Sequence, residues 1–220
     1  MAIGFRVLPR VETEPSLVDL FRGLPVSNIS DSMSRLSGPL GLVPRHRSGA
    51  LLGTALTVRV RAGDNLMIHR ALQMGQPGDV LVIDGGGCVD RALIGEIMKT
   101  VAQHRGFVGC VIDGAIRDLH AFEADDFPCY SRGVTHRGPY KDGPGEINVP
   151  VSIGGAIVHP GDIVTGDRDG VLFIPPSDAR EIAQATRQKG ADELETIASI
   201  ASNTYDDSWV AATLASKGAH

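Results

Sequence analysis

The chain has 220 residues, which is enough for one large domain or two very small ones. Hydrophobic residues make up 42% and charged residues 21% of it, a balance typical of folded globular proteins, so wholesale disorder is excluded. No stretch approaches the roughly 18 uninterrupted apolar residues of a membrane-spanning helix. Residues 1–15 lack the apolar core and the cleavage site of a secretory signal.

The net charge of −5 disfavours nucleic-acid binding, because neutralising phosphates requires a basic surface. The one short basic run, Arg45-His46-Arg47, is predicted to be a solvated loop. The cysteines are odd in number, far apart and in no CxxC pair. That pattern argues against a disulfide framework or a zinc knuckle and indicates a reduced, cytoplasmic protein. They are Cys88, Cys110 and Cys129.

The first third of the chain is predicted to hold two short helices, a strand and a third helix. Residues 16–22 and 27–36 each open on a serine suited to N-capping. Residues 50–61 alternate between apolar and polar positions, which predicts a strand with one buried face. A short helix over residues 66–74 follows.

The middle of the chain predicts two strand–glycine–helix units. Residues 79–84 form a near-continuous apolar run, which is typical of a strand covered on both faces. Three glycines interrupt this run, and a helical stretch is predicted to continue to about His104. A second buried strand over 107–112 is predicted to end at Asp113-Gly114. Two such units in succession favour parallel strands joined by crossover helices.

From residue 147, short apolar runs alternate with Gly-Gly, Pro-Gly and Asp-Gly turns, which predicts a set of short strands. Ser177 is predicted to cap a long helix whose apolar or small residues recur at helical spacing. These residues are Ala179, Ile182, Thr186, Gly190, Leu194 and Ile197. Because no linker interrupts the pattern, we expect a single α/β domain over 1–220. Its expected architecture is a central mixed or barrel-like sheet flanked by helices, a swivelling-domain-like α/β/α arrangement that ends in the long helix.

The sequence GEIM, from Gly95 to Met98, lies near the start of a predicted helix after a glycine-rich loop. Unpaired amides at a helix start favour an anion, and glycine allows a ligand to approach the backbone. A small carboxylate or phosphate could therefore bind here. The alternative is that Gly95 only relieves crowding between helix and sheet.

Arg117 and Asp118 follow the second buried strand, and ligands of open α/β sheets collect beyond the carboxyl ends of strands. Arginine offers a planar charged group for a carboxylate or enolate oxygen, and aspartate offers a hard oxygen ligand for a magnesium-like ion. The alternative is a surface pair that caps a helix.

Other candidate groups carry weaker signals. Asp84, Asp90 and Asp113 lie near the same strand ends, where they could orient a metal-bound water or serve in caps and turns. HExxH, GxSxG, Walker and GxGxxG patterns are absent from the sequence, which argues against zinc-protease, hydrolase, kinase-like and dinucleotide-binding functions. No lysine lies in a predicted buried strand, so a metal is favoured over a Schiff base as electron sink. The lysines are Lys99, Lys141, Lys189 and Lys217.

The stretches VLVIDGGG, RALIGEIM, GCVIDGAIRD and VPVSIGGAIVHPGDIVTGDRDGVLFIP resemble a family with two related branches. One branch holds the metal-dependent 4-hydroxy-4-methyl-2-oxoglutarate/4-carboxy-4-hydroxy-2-oxoadipate aldolases, which are class II pyruvate aldolases. The other holds the regulators of ribonuclease E activity. The resemblance covers about residues 17–200 and is densest over 79–118 and 149–175.

The resemblance implies a role for each motif. The amides of the GEIM loop would bind the pyruvyl carboxylate of the substrate (Gly95, Glu96, Ile97, Met98). Arg117 would bind the keto oxygen and stabilise the enolate, and Asp118 would ligate Mg²⁺ or Mn²⁺. Such a metal stabilises the charge that a breaking C–C bond places on the keto oxygen. The regulator branch typically lacks the aspartate, so Asp118 favours catalysis.

The resemblance also implies a homotrimer or homohexamer in which a neighbouring subunit lends an acidic residue to the site. The candidates on the last helix are Glu181, Asp192, Glu193 and Glu195.

The expected activity is cleavage of a 4-hydroxy-2-oxo acid to pyruvate and a second oxo acid, together with decarboxylation of oxaloacetate. The alternatives are a non-catalytic protein that binds a partner such as an RNA-processing enzyme, and a related lyase acting on a different 2-oxo acid. Residues 132–146 could contact a distal carboxylate of the substrate, or form a solvated crossover or an oligomer contact.

Overall fold

The computed structural model describes residues 4–35 and 38–219. Strands and helices are interspersed along the chain, as the predicted α/β class requires. In chain order they are β1 (Phe5–Val7), α1 (Pro15–Asp19), α2 (Val26–Ser32), β2 (Val43–Pro44), β3 (Leu51–Val60), α3 (Leu66–Met74), β4 (Asp79–Asp84), β5 (Ala92–Ile94), α4 (Glu96–His104), β6 (Gly109–Ile116), α5 (Leu119–Glu123), β7 (Cys129–Val134), β8 (Gly145–Ile147), β9 (Val151–Ile153), β10 (Ala156–Val158), β11 (Ile163–Gly166), β12 (Val171–Ile174), α6 (Ala179–Ala201) and α7 (Ser208–Ser216).

One large mixed sheet organises the molecule. Its main path is β1-β8-β3-β4-β6-β7-β2, while β11 and β12 extend it from β3, and β5 pairs with β6. The pairs β3–β4, β4–β6 and β6–β7 are parallel, as the strand–helix units predict. β9 and β10 form a separate hairpin. The predicted mixed sheet flanked by helices, with a long C-terminal helix, is confirmed.

β3 is buried on both faces, so the expectation of a half-buried strand is wrong. Of its ten residues only Arg59 is exposed. Leu56 and Val58 pack into one apolar cluster, while Leu51 and Ala55 pack into another. Thr57, on the face predicted to be polar, donates its hydroxyl hydrogen bond to the Val149 carbonyl (2.7 Å). A threonine can therefore be buried once its hydroxyl has a partner.

The region between β4 and β6 departs from the predicted turn and continuous helix. The short strand β5 pairs with β6 before α4 begins at Glu96. β6 runs through Asp113-Gly114 to Ile116 instead of ending there. The carboxylate of Asp113 is satisfied within the sheet region, because Arg132 and the amide of Gly154 donate to it. The Asp-Gly pair is therefore not a turn in this fold.

The predicted serine caps are also wrong. α1 and α2 begin one residue before the predicted starts, after Glu14 and Pro25, and neither has a side-chain cap. Pro15 suits the first helical position because its missing N–H needs no acceptor there. α2 ends at Ser32, so the predicted continuation of the second helix toward residue 36 is wrong; residue 36 itself lies outside the described residues. The cap position of α6 is Asp178, and Ser177 only donates to its carboxylate (2.7 Å).

α6 is covered by the body of the protein only over its first half. Ala179, Ala183 and Thr186 are buried where the helix packs against α1 and α2. Leu194 and Ile197, which helical spacing places on the core side, are 70% and 61% exposed. The following helix α7 has no buried residue. Among the residues described, none of the helices combines the length and the hydropathy needed to span a bilayer.

The basic run at residues 45–47 is not a solvated loop, because its central histidine is in the core. His46 is 2% exposed and stacks edge-on against Tyr130, with ring centroids 5.2 Å apart. Its Nδ1 lies within hydrogen-bond distance of both the amide (3.1 Å) and the carbonyl (3.2 Å) of Cys129. Burial is the main cause that lowers the pKa of His46 below its usual value.

We therefore expect the protein to lose stability as the pH falls below about 6.5, the pKa of an unfolded histidine. Below that pH the imidazole of His46 is protonated more readily in the unfolded chain than in the folded protein, so acid favours unfolding. Between pH 6.5 and 5.5, His46 can account for a loss of at most about 1.4 kcal/mol in the free energy of unfolding. Urea unfolding at both pH values measures the loss, and His46→Gln should reduce the pH dependence. An unchanged dependence in that variant would contradict the assignment.

Candidate active site

The GEIM loop and the Arg117-Asp118 pair meet at the start of α4. Gly95 is the cap position of this helix and offers no side chain to its free amides. The carboxylate of Asp118 supplies the missing acceptor, since the Glu96 amide donates to its Oδ2 (3.0 Å). A residue 22 positions away in sequence therefore caps α4. The two motifs that the sequence singles out form one structural unit.

The absence of a side chain at Gly95 leaves room for the side chains of Arg117 and Asp118. A Cβ at this position would lie 2.5 Å from Asp118 Oδ2 and 2.8 Å from Arg117 Cγ. Its backbone is extended (φ −145°), so conformational freedom is not the reason for glycine here. The crowding that Gly95 relieves is between the beginning of α4 and the Arg117-Asp118 pair that follows β6, so both interpretations of this glycine stay open.

Asp118 has the backbone conformation expected of a constrained position. Its φ of 55° and ψ of 46° are left-handed, which few non-glycine residues adopt without a structural or functional cause. It is the cap residue of α5, yet its side chain makes no bond to that helix. The carboxylate is turned toward α4 and toward Arg117, whose Nε lies 3.6 Å from Oδ2. Asp118 therefore does not cap the following helix α5 with its side chain, but it does cap α4, so the capping alternative is realised at a different helix.

A cavity of about 290 Å³ opens beside this pair. Of the predicted residues, Gly95, Ile97, Met98 and Arg117 line it, and Glu96 and Asp118 do not. Asp118 contacts the lining residue Arg117, and the Glu96 amide donates to Asp118. The other lining residues are Asn65, His69, Leu93, Ile94, Gly138, Pro139 and Lys141.

Sequence reasoning missed Asn65 and His69, which line the cavity from α3. Asn65 is 2% exposed, and its Nδ2 donates to the Leu93 carbonyl (3.0 Å) and contacts Met98 Sδ (3.2 Å). Its Oδ1 is buried without a hydrogen-bond partner in the described part of the chain. Burial first, and the charge of Lys141 second, lower the pKa of His69, so this imidazole is neutral at pH 7. The only signal in the sequence was the placement of Asn65 just before a predicted helix.

Different parts of the segment 132–146 have different roles in the structure. Gly138, Pro139 and Lys141 line the cavity. Arg132 instead pairs with Asp113, and Tyr140 stacks under Arg91 at 4.1 Å. One part of this segment is therefore a wall of the cavity, and another part supports the fold.

The remaining carboxylates near the strand ends serve turns and loops. Asp84 accepts from the amides of Gly86 (3.0 Å) and Ser152 (3.2 Å). Both oxygens of Asp113 are engaged by Arg132 and Gly154. Asp90 is exposed. These contacts favour the structural alternative for Asp84 and Asp113.

Two lysines lie near the candidate site. Lys99 in α4 is buried and donates to the Ala121 carbonyl (2.5 Å) and to Asp125 (2.6 Å), so it joins α4 to α5 and does not line the cavity. Lys141 lines the cavity but is exposed, whereas lysines that form Schiff bases are activated by burial or by a nearby cation. Its presence makes an amine route a testable alternative.

The carboxylate of Asp118 suits a hard cation that keeps most of its water ligands, and not a metal that is coordinated by protein side chains alone. No group of three or more His, Cys, Asp or Glu side chains is arranged to hold a metal within residues 4–35 and 38–219. Asp118 uses Oδ2 for the Glu96 amide, and no hydrogen bond from the described residues reaches Oδ1. Mg²⁺ keeps most of its waters and needs only one or two carboxylates, so Asp118 suits this type of ion.

The acidic residues of α6 that have side-chain partners contact their own helix or α2. Glu193 accepts from Asn28 (2.7 Å) and pairs with Lys189, and Asp192 accepts from Gln188 (2.8 Å). None of the four acidic candidates on α6 lines the cavity within one chain.

Known proteins are similar to this chain in sequence and in fold. A family model described as "RraA-like: Aldolase/RraA" matches residues 26–173. The "Putative 4-hydroxy-4-methyl-2-oxoglutarate aldolase" of Halalkalibacterium halodurans is 39% identical over 183 residues, which cover 83% of this chain and 87% of that protein.

A solved structure of an uncharacterized protein from Pseudomonas syringae pv. tomato superposes with a TM-score of 0.78 at 26% identity, covering 87% of this chain and 95% of the other. The RNA-processing inhibitor RraA from Thermus thermophilis gives a TM-score of 0.63 at 28% identity, covering 69% and 92%. The chain therefore belongs to the RraA-like family of aldolases and RraA proteins.

Proposed function

We propose that this protein is a divalent-metal-dependent lyase that cleaves 4-hydroxy-2-oxo acids, such as 4-hydroxy-4-methyl-2-oxoglutarate, to pyruvate and a second oxo acid. The same site would decarboxylate oxaloacetate. The observation that carries the proposal is the contact between the Glu96 amide and Asp118, which places Arg117 and a helix N-terminus at one cavity. The name of the Halalkalibacterium relative supports the reaction class.

The substrate carboxylate is proposed to bind at the start of α4. The amides of Ile97 and Met98 belong to the first helical turn, where no carbonyl of the same helix can accept from them. The Glu96 amide is already taken by Asp118. The helix dipole adds to the attraction for a carboxylate at this position.

Arg117 is proposed to bind the keto oxygen at the point where C–C cleavage makes it an enolate. Its guanidinium is always charged and lines the cavity. A donor aimed at developing charge is worth about 10²–10³ in rate. A divalent cation held by Asp118 would supply Lewis acidity to the same oxygen when bound. The ammonium of Lys141 is proposed to attract a second, distal carboxylate of the substrate.

The protein is further proposed to act in the cytoplasm as a homotrimer or homohexamer, to which a neighbouring subunit contributes an acidic residue. The exposed apolar side chains on the second half of α6 and on α7 support contact with another copy, because large apolar residues gain free energy when they leave water.

The test is pyruvate release by the purified protein from 4-hydroxy-4-methyl-2-oxoglutarate with Mg²⁺ or Mn²⁺, measured with lactate dehydrogenase. We expect EDTA to reduce the rate by about 100-fold or more. Borohydride added with substrate should leave no reduced adduct on Lys141. Full activity in EDTA together with a mass increase at Lys141 would establish the amine route instead. A panel of other 2-oxo acids tests the related lyase.

The second candidate is a non-catalytic binding protein, which the similarity to the Thermus RNA-processing inhibitor favours. It predicts no turnover of any 2-oxo acid with any divalent metal, together with stable capture of an RNA-processing enzyme. Turnover that depends on Asp118 would exclude this candidate as the sole function.

A further inference from the structure

One wall of the candidate cavity is a loop that residues outside the cavity hold in place. The loop, residues 137–143, contributes Gly138, Pro139 and Lys141 to the lining. It has no helix or strand of its own, so its position depends on contacts with other elements. The adjoining part of the lining includes Asn65 and His69 from the beginning of α3.

Asp64 connects these two parts of the lining. Its side chain is fully buried, and Oδ2 accepts from the amides of Asp142 (2.8 Å) and Gly143 (2.9 Å) in the loop. Oδ1 accepts from the Leu66 amide at the first turn of α3 (2.9 Å). Burial by itself would raise the pKa of Asp64, but these three amides and Arg61 lower it below its usual value, so the carboxylate is ionised at neutral pH.

Arg91 holds the other end of the loop. Its guanidinium donates to the Gly138 carbonyl (2.8 Å) and to the Tyr140 hydroxyl (2.9 Å), and it lies 4.1 Å from the centre of the Tyr140 ring. Backbone bonds add to this: the Asn65 amide donates to the Tyr140 carbonyl (3.0 Å), and the Tyr140 amide donates to the Gly63 carbonyl (2.8 Å). Gly63 has a φ of +73°, and a Cβ there would lie 3.0 Å from Arg91 Cδ, so glycine is needed at this turn.

We propose that Asp64 and Arg91 are positioning residues that hold the loop carrying Lys141 at the cavity that Arg117 also lines, and so select 2-oxo acids that carry a second carboxylate. Neither residue lines the cavity. They act by fixing the loop against the beginning of α3, which lowers the entropy cost of ordering the backbone that carries Lys141 when a dicarboxylate binds. The inference rests on the proposed function only in taking Arg117 as the pyruvyl end of the site.

The test uses two probes that the protein need not turn over, so it is independent of the proposed reaction. These are 2-oxoglutarate, a dicarboxylate, and 2-oxobutanoate, a monocarboxylate, each titrated with Mg²⁺ in a calorimeter. We expect Arg91→Met to weaken 2-oxoglutarate by about tenfold and to leave 2-oxobutanoate within twofold. Arg91→Lys should restore part of the affinity, and Lys141→Met should match Arg91→Met.

A control and a second readout separate positioning from folding. Arg70 is exposed on α3 and bonds only to Gln73 in the described residues (3.1 Å), so Arg70→Met should change neither affinity. Hydrogen exchange of the Asp142 and Gly143 amides should be faster in Asp64→Asn and unchanged in Arg70→Met. Equal weakening of both probes in Arg91→Met would mean a general structural role and would overturn the proposal. So would unchanged affinity for 2-oxoglutarate, or a wild-type protein that binds neither probe. Failure of the proposed function alone would appear as selective binding without pyruvate release.

Discussion

Asp118→Asn is expected to lower metal-dependent pyruvate release by about 10³-fold while leaving the fold intact. Asparagine keeps an oxygen that can accept from the Glu96 amide, and it tolerates the left-handed backbone that Asp118 adopts. The substitution therefore removes the charge without removing the helix cap. The measurements are the rate with Mn²⁺ and the affinity for Mn²⁺ by calorimetry, with circular dichroism as the check on folding.

Asp90→Asn is the matched control for this variant. Asp90 is exposed in the loop before β5, and no hydrogen bond or ion pair to its side chain occurs among the described residues. We expect wild-type rate and Mn²⁺ affinity in this control. An Asp118→Asn protein that keeps more than about a tenth of the wild-type rate would contradict the role of Asp118, because a metal ligand cannot lose its charge at so small a cost.

Gly95→Ala is expected to lower kcat/KM by about 100-fold. The added Cβ would lie 2.5 Å from Asp118 Oδ2 and 2.8 Å from Arg117 Cγ, so both side chains must move. They are 37% and 43% exposed and can be displaced outward without disrupting the core. The chain should therefore fold, lose the cap on α4 at a cost of about 1 kcal/mol, and hold the two proposed catalytic groups in the wrong place.

Gly190→Ala provides the opposite case within the same protein. Gly190 lies in α6, and the nearest atom to an added Cβ is Asn28 Nδ2 at 3.9 Å, an ordinary contact. Alanine should stabilise the helix by up to about 1 kcal/mol and leave kcat/KM unchanged. Thermal unfolding and steady-state kinetics of the two variants distinguish their effects. A Gly95→Ala protein with normal kinetics would show that the position of the Arg117-Asp118 pair does not matter for the reaction.

Local pattern predicted the elements whose signals are strongest. The helix over residues 66–74 and the strand over 79–84 begin and end in the structure where the sequence places them. Both are short segments in which apolar spacing and flanking breakers agree. The parallel pairing of β4 with β6 followed from two successive strand–helix units. The positions of the GEIM loop and of Arg117-Asp118 at strand ends placed both motifs at one edge of the sheet.

Predictions from local sequence patterns are wrong where a contact with a residue far away in the chain determines the structure. Asp113-Gly114 has the composition of a turn, but Arg132 and Gly154 satisfy the carboxylate and the strand continues. Arg45-His46-Arg47 has the composition of a solvated loop, yet the Cys129 amide pairs with His46 and allows it to be buried. Residues 50–61 alternate like a half-buried strand, and only the packing of β9 and its neighbours explains why β3 is covered on both faces.

The amino-acid sequence by itself determined the α/β class, the main parallel strands and the two motifs of the candidate site, because periodicity, glycine punctuation and residue chemistry act over a few neighbouring residues. Only the tertiary structure decided that Asp118 caps α4, that Asn65, His69 and Lys141 share a cavity with Arg117, and that half of α6 is left uncovered. These features depend on contacts between residues far apart in the chain. The energy of such a contact exists only after the fold has brought its two sides together.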